Sequence, residues 1–320
     1  MASHFDNRIP RRSFIKRAGQ VTAFGLLQEG LAGAGGRIAL IVDPADPVAS
    51  APPVKWAAEQ LRLAIAAKGA TLHVLNSPDE AGDFSLRIVV AGVRSPLARA
   101  FLSGEPVPPV REAFLLMPGN AVRSATVKER SRAPSAQPPL LVSASDPTGY
   151  VYALLELADR VRFGADSMSA LSLAEPLQEQ PANQVRSIAR AFVSDVEDKS
   201  WYYDKAFWRE YLTTLASQRF NRFSLVFGLG YDFPRGVTGD YLHFPYPYLL
   251  DVPGYRVRAI PLDDAERDRN LVMLRFISDE TAGRGLHFQL SLWTHAYEWT
   301  DSPHSHHHIE GLTAATHGPY

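Results

Sequence analysis

Apolar and polar positions along this chain switch between two periods, and each switch marks an element. Arg37 to Val42 is a short, nearly continuous apolar run closed by Asp43-Pro44, the pattern of a buried strand and turn. Pro52-Pro53 then opens a helix over Val54 to Lys68, with Trp56, Leu61, Ile65 and several alanines on one face and Gly69 as its stop. Further strands are predicted at Thr71 to Leu75, Leu86 to Ala91 and Leu140 to Ser143. The polar run Val122 to Gln137, rich in Arg, Ser and Pro, reads as a loop or irregular hairpin. Asp146-Pro147-Thr148-Gly149 starts a helix that continues from about Tyr150 to Val161.

Residues 165–184, with Pro176 and Pro181 and few large apolar groups, read as a connector. Beyond it the beat is strand (Ser187 to Ser194), helix (Lys205 to Gln218) and strand (Arg222 to Phe227). A long aromatic loop, a helix (Asp263 to Arg284) and a strand (His287 to Trp293) follow. Strands alternating with helices predict a parallel sheet with right-handed crossovers. A (β/α)8 barrel takes roughly 250 residues, so the region 185–320 holds only its opening, and the sequence reads as a fragment. The expected organisation is a leader (1–35), a small α/β domain (36–164), a linker (165–184) and an incomplete barrel (185–320).

Charge and composition narrow the function classes. With 33 basic against 34 acidic residues, nothing in the balance points to nucleic acid. There is no cysteine, so disulfides and thiolate metal sites are excluded. Arg11-Arg12-Ser13-Phe14-Ile15-Lys16 matches the twin-arginine export pattern, and the weak apolar run Val21 to Ala34, broken by Gln28 and Glu29, is too short and polar to span a bilayer. Export through the twin-arginine machinery to the periplasm or outside the cell is the expectation, with no stable membrane span. Gly33-Ala34-Gly35-Gly36 precedes its strand instead of following one, so it is not a dinucleotide loop. No cofactor is expected.

Two segments resemble family 20 glycoside hydrolases, the β-hexosaminidases, and the related α-glucuronidases. Leu140 to Leu154 (LLVSASDPTGYVYAL) is similar to their small-domain signature, a strand followed by a Gly-aromatic helix start. Arg190-Ala191-Phe192-Val193-Ser194-Asp195 follows the spacing R-G-x-x-x-D of their first barrel strand, with Ala191 in place of glycine. The resemblance implies a zincin-like α/β domain followed by a (β/α)8 barrel, glycosidic-bond hydrolysis, and an arginine at Arg190 contacting a sugar hydroxyl. It also implies a catalytic Asp-Glu pair after the fourth strand, beyond residue 320. The chain departs from the family where its second strand carries K-x-N-x-[LF]-H-x-H. Arg219, Asn221 and Phe223 fit, whereas Ser224 and Val226 stand where histidines belong, and Asp198 replaces an arginine.

Candidate substrate contacts follow from position. Strand carboxyl ends hold substrate in barrels, and on extended chain the i, i+2 pair Asp195 and Glu197 shares one face; a solvated helix N-terminus accounts for the same charges equally well. Arg190 lies in an apolar strand, where it needs a partner: a ligand or a salt bridge to a neighbouring strand. Four of five tryptophans and ten of twelve tyrosines lie beyond residue 200. Trp201 and Trp293 fall at strand ends, where aromatic faces suit sugar C–H surfaces as well as ordinary core. His295 and Glu298 follow the third strand with hydrogen-bonding or proton-transfer capacity. His304, His306, His307 and His308 lack a spaced ligand set, so no metal is predicted. The reading is an exported hydrolase of a glycan or uronic-acid-containing oligosaccharide. The alternatives are a non-catalytic glycan-binding protein with a degenerate barrel and a structural export module without a ligand.

Overall fold

Asp146 is where the local chemistry of this fold is most visible. Its Oδ1 accepts the Gly149 amide (2.8 Å), capping helix α2 (Pro147–Phe163), and its Oδ2 accepts the Glu112 amide (2.8 Å). Such a cap contributes about 1 kcal/mol. Gly149 is required by close approach: a Cβ there would lie 2.6 Å from the Ala113 carbonyl and 3.0 Å from the Ala144 Cβ. The computed structural model describes residues 36–92, 94–99, 109–119, 139–192, 195–227, 246–254, 258–260, 262–292 and 308–310, with the backbone alone at 99, 195–197, 259–260 and 308–310.

The first sheet has six strands in the order β2-β1-β3-β5-β4-β6. These are β1 (Arg37–Val42), β2 (Thr71–Leu75), β3 (Leu86–Val90), β4 (Phe114–Pro118), β5 (Leu140–Ala144) and β6 (Leu177–Glu179). β1, β2, β3 and β5 are parallel, while β4 runs antiparallel to both β5 and β6. The sheet is therefore mixed, and two of its strands, β4 and β6, lie outside the strands predicted from the sequence. β6 and a short helical turn at Ser167–Ala170 lie in the 165–184 stretch, and β6 pairs with the sheet. Alternate residues divide the sheet's two faces. Ile38, Leu40, Ile88, Val90 and Val142 pack under α1 (Pro52–Ala67) and α2, and Ala39, Ile41, Val89 and Leu141 form a second cluster opposite. Burial on both faces explains the continuous apolar runs.

The second sheet is parallel, in the order β10-β8-β7: β7 (Ser187–Phe192), β8 (Arg222–Phe227) and β10 (His287–Leu292). After β7 come helices α3 (Asp195–Tyr202) and α4 (Lys205–Ser217), and before β10 comes α5 (Asp264–Ala282). Asp204 and Asp263 cap α4 and α5 through backbone amides. Trp208 and Leu212 of α4 and Met273 and Ile277 of α5 bury against Phe223, Leu225 and Phe227. A two-stranded antiparallel ladder joins β9 (Arg258–Ile260), before α5, to β11 (His308–Glu310), after β10.

Both sheets belong to one unit, Gly36–Tyr320. Ion pairs and buried polar groups at the amino ends of β7 and β8 connect them. Arg186 pairs with Glu112, whose other carboxylate oxygen accepts Asn221 Nδ2 (2.8 Å). Arg186 also donates to Tyr152 Oη (2.9 Å) and to the Arg219 carbonyl (2.6 Å). Arg219 pairs with Glu156 of α2 (2.9 Å) and Glu179 of β6 (3.1 Å). Farther along, Arg284 is buried over the Trp56 ring at 5.3 Å and donates to Thr213 Oγ1 (3.0 Å) and Glu280 (2.6 Å).

Candidate functional site at the carboxyl ends of the parallel strands

The register of the second sheet assigns each side chain to a face. Ile188, Arg190 and Phe192 align with Phe223, Leu225 and Phe227, and these with Phe288, Leu290 and Leu292. Phe223 touches Trp208 and Tyr211 of α4, so this is the helix-covered face. The opposite face carries short or polar side chains: Ala189, Ala191, Ser224, Val226, Gln289 and Ser291. There Ser224 Oγ donates to Gln289 Oε1 at 3.1 Å, and Gln289 is exposed.

Arg190 thus lies on the helix-covered face. Its guanidinium carbon sits 4.0 Å from the Trp201 ring centroid, 4.9 Å from Phe207 and 5.7 Å from Tyr211. The sequence reading offers a ligand or a cross-strand salt bridge as partner; in the structure three aromatic rings surround the guanidinium. Stacking of this kind in a partly desolvated setting contributes about 1–2 kcal/mol. The phenol of Tyr211 is raised by burial, an effect that the neighbouring Arg190 charge partly offsets. Trp201 also contacts Phe192, Tyr202 and Trp208 edge-on, and its indole N–H donates to Asp198 Oδ1 at 2.8 Å. The structure therefore brings Arg190 and Trp201 together one layer out from the open face.

Asp195 and Glu197 fall in the first turn of α3, not on extended chain. At 3.6 residues per turn, positions i and i+2 point to different sides of a helix, which removes the argument that they share a face. The acids at 195, 197 and 198 are themselves a helix-start signal, because anions favour the positive end of the helix dipole. Trp293, His295 and Glu298 lie outside the described residues, between the end of β10 and β11 in the chain. So do Arg11 and Arg12 and all of the histidine cluster except the backbone of His308. Among the described residues no three His, Asp or Glu side chains gather where a metal would sit, and no helix is long and apolar enough to cross a membrane.

Sequence reasoning missed the groups that organise the amino ends. Glu112 is 5% exposed and has φ +66°, and Arg219 has φ +62°; among the described residues they are the non-glycine residues in the left-handed region. Burial pushes the Tyr152 phenol up to about 12, with the Glu112 charge adding to the effect and Arg186 opposing it. In (β/α)8 barrels generally, the amino ends of the strands serve stability and chemistry gathers at the carboxyl ends. A half-buried arginine just before a strand is the local signal, and its partner Glu112 lies 74 residues away.

No known protein family and no curated protein matches the sequence. Solved structures do resemble it. A family 138 glycoside hydrolase targeting pectin rhamnogalacturonan II superposes with a TM-score of 0.53 at 17% identity, over 78% of this chain and 30% of that enzyme. A mutant β-hexosaminidase from Streptomyces plicatus in complex with product gives a TM-score of 0.39 at 14% identity, over 81% and 43%. The family 20 β-N-acetylhexosaminidase from Streptomyces coelicolor gives 0.38 at 14%, over 80% and 41%. This chain spans less than half the length of each. The fold is a mixed α/β fold of the kind found in glycoside hydrolases.

Proposed function

We propose that this chain is the substrate-holding part of an exported glycoside hydrolase that acts on a glycan or a uronic-acid-containing oligosaccharide. The observation that carries the proposal is the second sheet: parallel strands β7, β8 and β10 side by side in chain order, helices on one face and short or polar side chains on the other. That is the arrangement of the opening strands of a (β/α)8 barrel, whose carboxyl ends hold substrate. The likeness in fold to a pectin-targeting hydrolase supports the same substrate class. On this reading the six-stranded sheet corresponds to the small, zincin-like domain, and residues 1–35 are the export leader.

Sugar contacts are assigned to the carboxyl-end segments, from Asp195 and Glu197 at the start of α3 and from Trp293, His295 and Glu298 after β10. Arg190 and Trp201 hold α3 against β7. Proton transfer, which needs one protonated and one ionised carboxyl group, is assigned to carboxyl groups outside the described residues. One observation favours the second reading, a glycan-binding protein without catalysis. Ser224, where the resembled family has a histidine, is engaged with Gln289 and contributes no acid or base. Release of reducing ends from pectic and amino-sugar oligosaccharides by the intact gene product separates the two. Hydrolysis is expected. Retention on an immobilised glycan without any release supports the second reading, and neither release nor retention overturns both.

A further inference from the structure

We infer that Asn270 is the positioning residue of the carboxyl-end face, the anchor that holds the segments following β7 and β8 in one arrangement. Its functional meaning rests on the glycan reading above; its geometry does not. Asn270 lies in the second turn of α5 and is 8% exposed. Its three polar atoms beyond the amide nitrogen engage two segments, two of them the end of α3 and the third the turn after β8. The backbone carbonyl accepts the Tyr202 hydroxyl at 2.8 Å, and Oδ1 accepts the Tyr203 hydroxyl. Both tyrosines lie at the end of α3, the segment after β7. Nδ2 donates to the Tyr248 carbonyl at 2.9 Å, in the turn at 246–249 that follows β8.

The surroundings make this node rigid and specific. A narrow crevice above the ends of β7 and β8 is lined by Phe192, Phe227, Tyr202, Tyr248 and Asn270. Tyr248 and Leu249 are buried in the same core as Phe227, so the turn is seated on the sheet end. Two further contacts run from α5 to the α3 end: Glu266 pairs with Lys199 at 2.7 Å, and Arg269 lies 4.6 Å above the Tyr203 ring. Burial raises the phenols of Tyr202 and Tyr203, so both stay protonated donors at neutral pH. A carboxamide is the side chain that serves here, because it offers an acceptor to Tyr203 and a donor to a carbonyl from one planar group.

The test is residue-resolved amide exchange in the full chain, with three variants. Asn270→Asp keeps the acceptor and replaces the donor by an oxygen facing the Tyr248 carbonyl. The amides of Leu249 and Leu250, which bond back to Tyr246 at 2.9 and 2.8 Å, are expected to exchange about five- to tenfold faster, the loss of one net hydrogen bond. Tyr203→Phe is expected to speed exchange at Tyr203 and Asp204 and to leave Leu249 and Leu250 unchanged. Asn270→Ala combines both effects. Unchanged exchange in all three variants, or an equal rise in α2 and β1, overturns the inference, and Tyr203→Phe keeps it testable where an Asn270 variant fails to fold. The glycan reading fails separately. Wild type that neither releases nor retains sugar, with Asn270→Asp still loosening the turn, leaves the anchor standing. Wild type that releases sugar, with exchange in Asn270→Asp unaltered, leaves only the glycan reading.

Discussion

Glu112 links two polar groups of the second sheet's amino ends from a buried, left-handed backbone position. Its carboxylate holds Arg186 and Asn221 together, and its backbone sits at φ +66°. Removing it leaves Arg186, 20% exposed, without its charge partner. Breaking such a pair costs several kcal/mol when fully buried; with Tyr152 and the carbonyls of Asn183 and Arg219 still engaging Arg186, about 3 kcal/mol is expected here. The backbone adds an unusual sign. Alanine inherits the left-handed strain and glycine does not, so Glu112→Gly is expected to be less destabilising than Glu112→Ala by about 1 kcal/mol. Urea unfolding of both variants measures the difference; an alanine variant at least as stable as the glycine variant contradicts it. None of this was legible in the sequence, because a contact 74 residues apart leaves no local pattern. Arg190 was legible as a costly residue in need of a partner. Which partner it has was decided by register, which no single strand reveals.

At the scale of elements, the helices were the readable part. Pro52, Asp146, Asp204 and Asp263 mark their starts, and α1, α2, α4 and α5 lie within a few residues of the predicted spans. β6, three residues long, carries too little periodicity to register, and α3 was hidden because Val193 and Ser194 extend the apolar pattern of β7 up to its acids. The end of α5 yields a pH prediction. Burial pushes the Glu280 carboxyl up, but hydrogen bonds from Arg284 and Arg209 outweigh it and hold the group below its ordinary value of 4.5. A depressed carboxylate stabilises the fold above its unfolded pKa, and that contribution disappears as pH falls through the lower folded value. Stability is therefore expected to decline as pH drops below about 4.5, and less steeply in Glu280→Gln. Thermal unfolding across pH 3 to 6 (roughly the window that linkage defines) checks it, and parallel wild-type and variant curves contradict it.

Across the whole molecule the two sheets divide the work by the direction of their strands. The amino ends of β7 and β8 are taken up by Arg186, Asn221 and Arg219 binding the six-stranded sheet and α2. The glycan reading proposed above places the ligand at the opposite, carboxyl ends, which α3 and the 246–249 turn follow in the chain. The central claim is that a glycan occupies this carboxyl-end face, and amide exchange with and without a mixture of pectic and amino-sugar oligosaccharides tests it most directly. The account predicts slowed exchange at residues 198–204 and 246–250, with residues 183–188, 219–222 and the six-stranded sheet unchanged. Protection confined to the amino ends or to the six-stranded sheet, or no protection anywhere, would contradict it.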